Sequence, residues 1–220
     1  MRRRNVLLTA LVAMAALLSA PGTAAAAKAP SATTAQVAAA AGRIVNHRHS
    51  AADLALVRSR PEIARTVPDP AGPTVSVRST GFTLATGAGA PTGKAGPTGT
   101  NGVALLAENC AGAIEVGVQY ISILGNIIWQ WWHHVEACSD NVNVTRFLSR
   151  RDFLRIADGT VEFLELVQNV QGATPRAWTT STVQRHLKQC SIPAIPCTND
   201  YPWITVTLYA DHTYTWKWGG

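Results

Sequence analysis

The sequence predicts an all-β domain, an antiparallel β-sandwich of the immunoglobulin or a similar type, preceded by a signal peptide and a weakly ordered, partly helical arm. Three observations predict it. Fourteen of the fifteen aromatic residues, including all seven tryptophans, lie beyond residue 100, and aromatic side chains supply much of a small core's buried area. From residue 103 onward, apolar residues recur with a period of two in short runs separated by polar turns, the pattern of strands with one buried face. All four cysteines fall in the same half of the chain. Two layers are expected ahead of a closed barrel, which the same pattern also allows.

The elements follow in chain order. Arg2-Arg3-Arg4, an apolar run to Ala20 and the small-residue exit Thr23–Ala27 have the three parts of a secretory signal peptide, assigned to residues 1–27. Residues 28–100 are assigned to a low-complexity arm and linker. Ala35–Ala41 has high helix propensity without an aromatic anchor. A second helix begins after Ser50, whose hydroxyl and Asp53 form a short capping box, and Pro61 breaks it. Leu54, Val57 and Ile63 give it a narrow apolar stripe. Gly and Pro punctuate residues 81–102 every few positions, as in a flexible linker.

The β domain is assigned to 101–220. Ile114, Val116, Val118 and Tyr120 share one strand face. After a turn at 122–126, Trp129, Trp131, His133 and Val135 share one face of the next strand. Its opposite face holds Ile128, Gln130, Trp132, His134 and Glu136. Asp158-Gly159 turns into a strand over 160–170. A strand over 179–189 ends at Cys190, and the final pair, 204–209 and 213–218, turns at Asp211-His212.

Four cysteines, Cys110, Cys138, Cys190 and Cys197, in a chain with an export leader read as two disulfides. Spacings of 27 and 6 intervening residues lack the close pairs of a zinc site. Of three connectivities, Cys110–Cys138 and Cys190–Cys197 are expected. Residues 110 and 138 are equidistant from Leu124, so a loop of three or five residues sets them face to face. A two-residue turn at Gly125-Asn126 would instead set Cys110 opposite Asn141.

Cys190-Ser-Ile-Pro-Ala-Ile-Pro-Cys197, then Tyr201-Pro202-Trp203, a Thr/Val strand, Ala210-Asp211 and the closing Tyr214-x-Trp216 resemble the C-terminal part of uncharacterised secreted actinobacterial proteins. The alanine-rich arginine leader is similar to theirs. The resemblance covers residues 110–220 and implies a small exported β domain with no assigned activity. This chain has His212 where such proteins more often place Gly after the turn aspartate.

The net charge of +6 divides unevenly: residues 101–220 carry eight Lys/Arg against ten Asp/Glu. The domain is slightly acidic, which argues against a nucleic-acid partner. His133 and His134 are adjacent on a strand and point to opposite faces, so they do not converge on a metal. Ser149 or Ser181 with a histidine and Asp152 or Asp158 forms a triad only on paper, without a nucleophile-elbow context. Arg146, Arg150, Arg151 and Arg155 with Asp152 and Asp158 read as a salt-bridged turn surface. No glycine loop cradles a phosphate, so neither a cofactor nor a metal is expected. The remaining candidate is aromatic. With Trp129 and Trp131 inward, Trp132 faces outward between Gln130 and His134, a flat ring able to stack on a sugar or peptide.

The expected function is therefore non-catalytic: a secreted, extracellular module that binds an envelope polymer, glycan or protein, or supports the envelope structurally, without membrane attachment after leader cleavage. An extracellular hydrolase acting on glycan or peptide is the competing class, disfavoured because no catalytic site assembles from the residues.

Overall fold

A computed structural model describes residues 32–85, 108–190 and 195–220. The expected signal peptide and linker residues 86–102 lie outside them. Two sheets form the body. In the first, β1 (Thr74–Thr80), β3 (Asn109–Ile121), β4 (Ile127–Ser139) and β5 (Val144–Ala157) lie side by side, every neighbour antiparallel. In the second, the order is β2 (Thr83–Leu84), β10 (Thr213–Gly219), β9 (Trp203–Tyr209), β7 (Trp178–Gln189) and β6 (Val161–Gln171). The short β8 (Thr198–Asp200) also pairs with β7. All these pairs are antiparallel except β2 with β10.

The period of two is what makes this a sandwich. Alternate residues of β3 and β4 (Ile114, Val116, Val118, Trp129, Trp131, Val135) meet Val183, Leu187, Ile204, Val206, Leu208 and Tyr214 of the second sheet in one buried cluster. Trp129 and Trp131 are wholly buried, and Trp129 stacks on Tyr120 at 4.6 Å between centroids. The chain is thus mostly β in two packed sheets. Its strand order, largely successive hairpins, differs from the interleaved ABED and CFG sheets of an immunoglobulin domain.

The β3–β4 register keeps the Leu124 centre only at its two ends, and the two-residue turn at Gly125-Asn126 does not form. From Gly112↔Ala137 to Tyr120↔Trp129 the pairing is offset by one residue from a hairpin centred on Leu124. An irregularity at each end returns the register to that centre: Ile121 faces Ile127 across a five-residue loop, and Asn109 faces Ser139. The bulge between Asn109 and Gly112 is what brings Cys110 to Cys138. Both disulfides, Cys110–Cys138 and Cys190–Cys197, are formed. Gly125 closes the loop at φ 86°, a conformation that glycine adopts without a steric penalty. At the β9–β10 turn, the His212 amide donates to the Tyr209 carbonyl, and His212 itself takes φ 61°. That is the left-handed position of a three-residue hairpin loop, where glycine is usual.

Three expectations change. The arm expected to be weakly ordered over 28–100 is, across residues 32–85, three helices and two strands packed on the sandwich. α1 (Thr34–Val45) places Val37, Ala40, Ala41 and Ile44 on one buried stripe. α2 (Ala51–Arg58) carries the Ser50/Asp53 capping box, and α3 (Pro61–Ala64) restarts at the proline. Their cluster includes Val57, Ala64, Val67 and, from the β3–β4 loop, Ile123. The Ile123 amide donates to the Val67 carbonyl at 3.0 Å, and Gln189 Nε2 to the Thr66 carbonyl at 2.9 Å. Second, the β domain does not begin at 101, because β1 pairs with β3 over seven residues and Phe82 enters the core. Third, the expected turn surface around Arg146–Arg155 is β5, a strand of fourteen residues. Among the described residues no helix is long and apolar enough to cross a membrane.

Candidate functional site

Trp132 belongs to the face of the first sheet turned away from the core, but it does not offer an open ring. It is 1% exposed. The indole lies flat over Gly117, its cross-strand partner, so closely that a Cβ there would stand 2.5 Å from ring carbons. Over the ring come two guanidiniums, Arg78 from β1 at 4.9 Å and Arg155 from β5 at 5.7 Å from the centroid. Arg155 is the extra residue in a bulge, since Ile156 pairs with Gln130 and Leu154 with Trp131; bulges re-aim side chains in this way. The expected stacking platform for a sugar is therefore covered by cations.

Its neighbours are also occupied. Gln130 Nε2 donates to Gln119 Oε1 at 3.0 Å. The His134 ring nitrogens stand 3.1 Å from Glu115 Oε1 and 2.9 Å from Glu136 Oε1. Glu115, the cross-strand partner of Arg78, and Glu136 thus lie at hydrogen-bond distance from His134 and not from the arginines. Trp132 Nε1 has no partner and is buried. Among the described residues, the guanidiniums of Arg78, Arg151 and Arg155 make no hydrogen bond or ion pair, while every ion pair drawn elsewhere on the molecule uses other cations.

A second constellation lies between the sheets. His133 Nε2 is 2.9 Å from Ser181 Oγ, and its Nδ1 is 3.3 Å from the Arg151 carbonyl. The carbonyl can only accept, so Nδ1 carries the proton and Nε2 accepts from the serine hydroxyl. Ser181 Oγ in turn accepts from Arg150 Nε at 2.7 Å, and Arg150 Nη2 donates to the Val170 carbonyl at 2.7 Å. Beside it, Asp152 accepts two 2.7 Å bonds from Arg185 and one of 2.8 Å from Trp131 Nε1. Burial holds the His133 ring down at about 4, with Arg150 adding to that direction. The Ser181–His133 pair has the hydrogen bond of a nucleophile and its base. Both residues are nevertheless wholly buried, and the third partner is a peptide carbonyl in place of a carboxylate. Its work is to tie β4 and β5 to β6 and β7.

A cleft where the helices meet the sandwich is lined by His47, Asp69, Tyr120 and Asp200 among apolar side chains. Burial raises the Asp200 carboxyl, and burial beside Asp200 pushes Tyr120 up to about 12. No hydrogen bond joins these four side chains into a nucleophile–base arrangement. Glu108 lies near Cys110 and Cys138, but both sulfurs are spent in the disulfide. Glu108 binds Arg146 at 2.9 Å and Thr145, which hold its carboxyl at about 2. That grouping cannot supply thiolate ligands to a metal.

The Ser181–His133 contact was not legible in the sequence, because the packing of the two sheets sets it. Of the unpaired arginines, Arg78 was missed because residues 28–100 read as an arm, and Arg151 and Arg155 because β5 was not legible as a strand. Alternation of Arg151, Phe153 and Arg155 against Asp152 and Leu154 is the signal that could have found the latter two. The chain matches no protein-family model, no curated protein and no solved structure.

Proposed function

We propose that this protein is a secreted, non-catalytic binding module of the cell envelope or extracellular space, and that its ligand docks on the outer face of the first sheet. The observation that carries the reading is the cluster at Trp132, where two guanidiniums share one aromatic ring without an acidic partner. Each guanidinium is attracted to the ring, and the weak mutual repulsion of the two exposed charges is relieved by an anionic ligand. Two disulfides support an oxidising compartment, and the leader at residues 1–27 and the resemblance to secreted actinobacterial proteins support export.

A hydrolase is the second reading, favoured by the Ser181–His133 hydrogen bond alone. Incubation with glycan, peptide and ester panels, followed for both binding and product, separates the two. Saturable binding without turnover is the expected outcome. Turnover that disappears in Ser181→Ala would replace the binding reading with the hydrolase.

A further inference from the structure

The ligand chemistry at this face follows from three features of the Trp132 cluster. First, Arg78 and Arg155 are exposed and unpaired, and each is ordered against the same indole. A guanidinium stacked on a ring has lost much of its rotamer freedom before any ligand arrives, and its planar fork matches the two oxygens of an oxyanion. Second, the nearest acids, Glu115 and Glu136, lie at hydrogen-bond distance from His134 and within ion-pair distance of neither guanidinium. Third, Trp132 is 1% exposed beneath these guanidiniums, so the ring is a fixed, desolvated support on which both side chains are held. Together they leave two oriented, exposed forks without a counter-charge, which ask for an oxygen-rich negative group.

We infer that Arg78, Arg155 and Trp132 form an oxyanion clamp for the phosphate or carboxylate groups of an anionic extracellular polymer. Arg151, on the same face and also unpaired, extends the positive row along β5, which suits successive groups on a chain better than one free ion. Residues 32–220 carry fifteen Lys/Arg against thirteen Asp/Glu, a near balance that disfavours a nucleic-acid duplex, whose binding needs a broad positive field. The inference rests on the binding reading above and deepens it.

The test is calorimetric titration of the full chain with inorganic phosphate, sodium polyphosphate, polygalacturonate, a neutral glucan and a DNA duplex. Polyphosphate or polygalacturonate should bind saturably and more weakly as salt rises, with the preferred polymer telling phosphate from carboxylate. Arg78→Ala and Arg155→Ala should each weaken binding about tenfold or more at unchanged melting temperature, and the double variant should abolish it. Arg58→Ala, an exposed arginine on α2, serves as the charge control. The double Lys variant keeps the charge and should still lose most of the affinity, because an ammonium lacks the fork. Equal loss in Arg58→Ala, full affinity in the Lys variant, or preference for DNA would overturn the clamp. Binding of the neutral glucan alone would overturn it while leaving the binding reading intact, whereas binding of no panel member, in this or the preceding assay, would sink both.

Discussion

His133 shows how one residue couples the interior to solution conditions. Buried between the sheets, its ring titrates near 4, against an ordinary value of 6.5. Between those values the unfolded chain binds a proton that the folded chain does not, so stability increases with pH across that window. The contribution is complete above 6.5 and is lost as pH falls toward 4, to a maximum of about 3 kcal/mol. Asp200, raised by burial, acts in the opposite sense, which is why the comparison needs a variant. Denaturation of wild type and His133→Gln at pH 7 and pH 4.5 is the measurement. The acid loss should be smaller in His133→Gln by about 2 kcal/mol; identical losses would mean that His133 does not titrate as a buried neutral ring. The alternation that put His133 beside Trp131 was readable in the sequence. Its partner Ser181, forty-eight positions away, was not, since only the stacking of the sheets sets that distance.

At the scale of elements, the β3–β4 hairpin depends on a cross-link at its open end. The turn closes at Gly125 and the disulfide joins the strands near Asn109 and Ser139, with the register irregularities in between. Cys110 and Cys138 are 28 positions apart and Cys190 and Cys197 only 7. Chain-entropy reasoning assigns the longer closure about 3.5 kcal/mol and the shorter about 2.5 kcal/mol. The Cys110→Ala/Cys138→Ala variant should therefore unfold at lower denaturant than Cys190→Ala/Cys197→Ala, as read from paired urea curves; the reverse order would show that strain or residual structure outweighs loop length. The hairpin was legible because its strands alternate cleanly. β5 was not, because its outward positions carry Arg151 and Arg155 and its bulges interrupt the period. α1 was only half legible: Val37, Ala40, Ala41 and Ile44 are spaced as a helical stripe, but alanine contributes little to a hydrophobicity pattern.

For the whole molecule, the boundary of the folded unit moves toward the N-terminus. A chain starting at residue 101 would lack β1, leaving the β3 edge unpaired over seven residues, and would lack Phe82 and the helices that cover Ile123. It should aggregate or unfold several degrees lower than a chain spanning 32–220, because an exposed edge strand and an uncovered apolar patch are both liabilities. Thermal melts and light scattering of the two chains check this. A 101–220 chain as stable and monomeric as 32–220 would restore the sequence-based boundary.

By itself the sequence determined the β class, the inward and outward faces of β3, β4, β9 and β10, the capping box of α2 and the cysteine partners. All of these follow from local periodicity or from distances along the chain. Tertiary structure alone decided that the helices belong to the fold, that β1 completes the first sheet and that Ser181 meets His133. It also decided that Arg78 and Arg155 close over Trp132. These depend on contacts between residues tens of positions apart, where the deciding quantity is which surface remains to be covered once the sheets have packed.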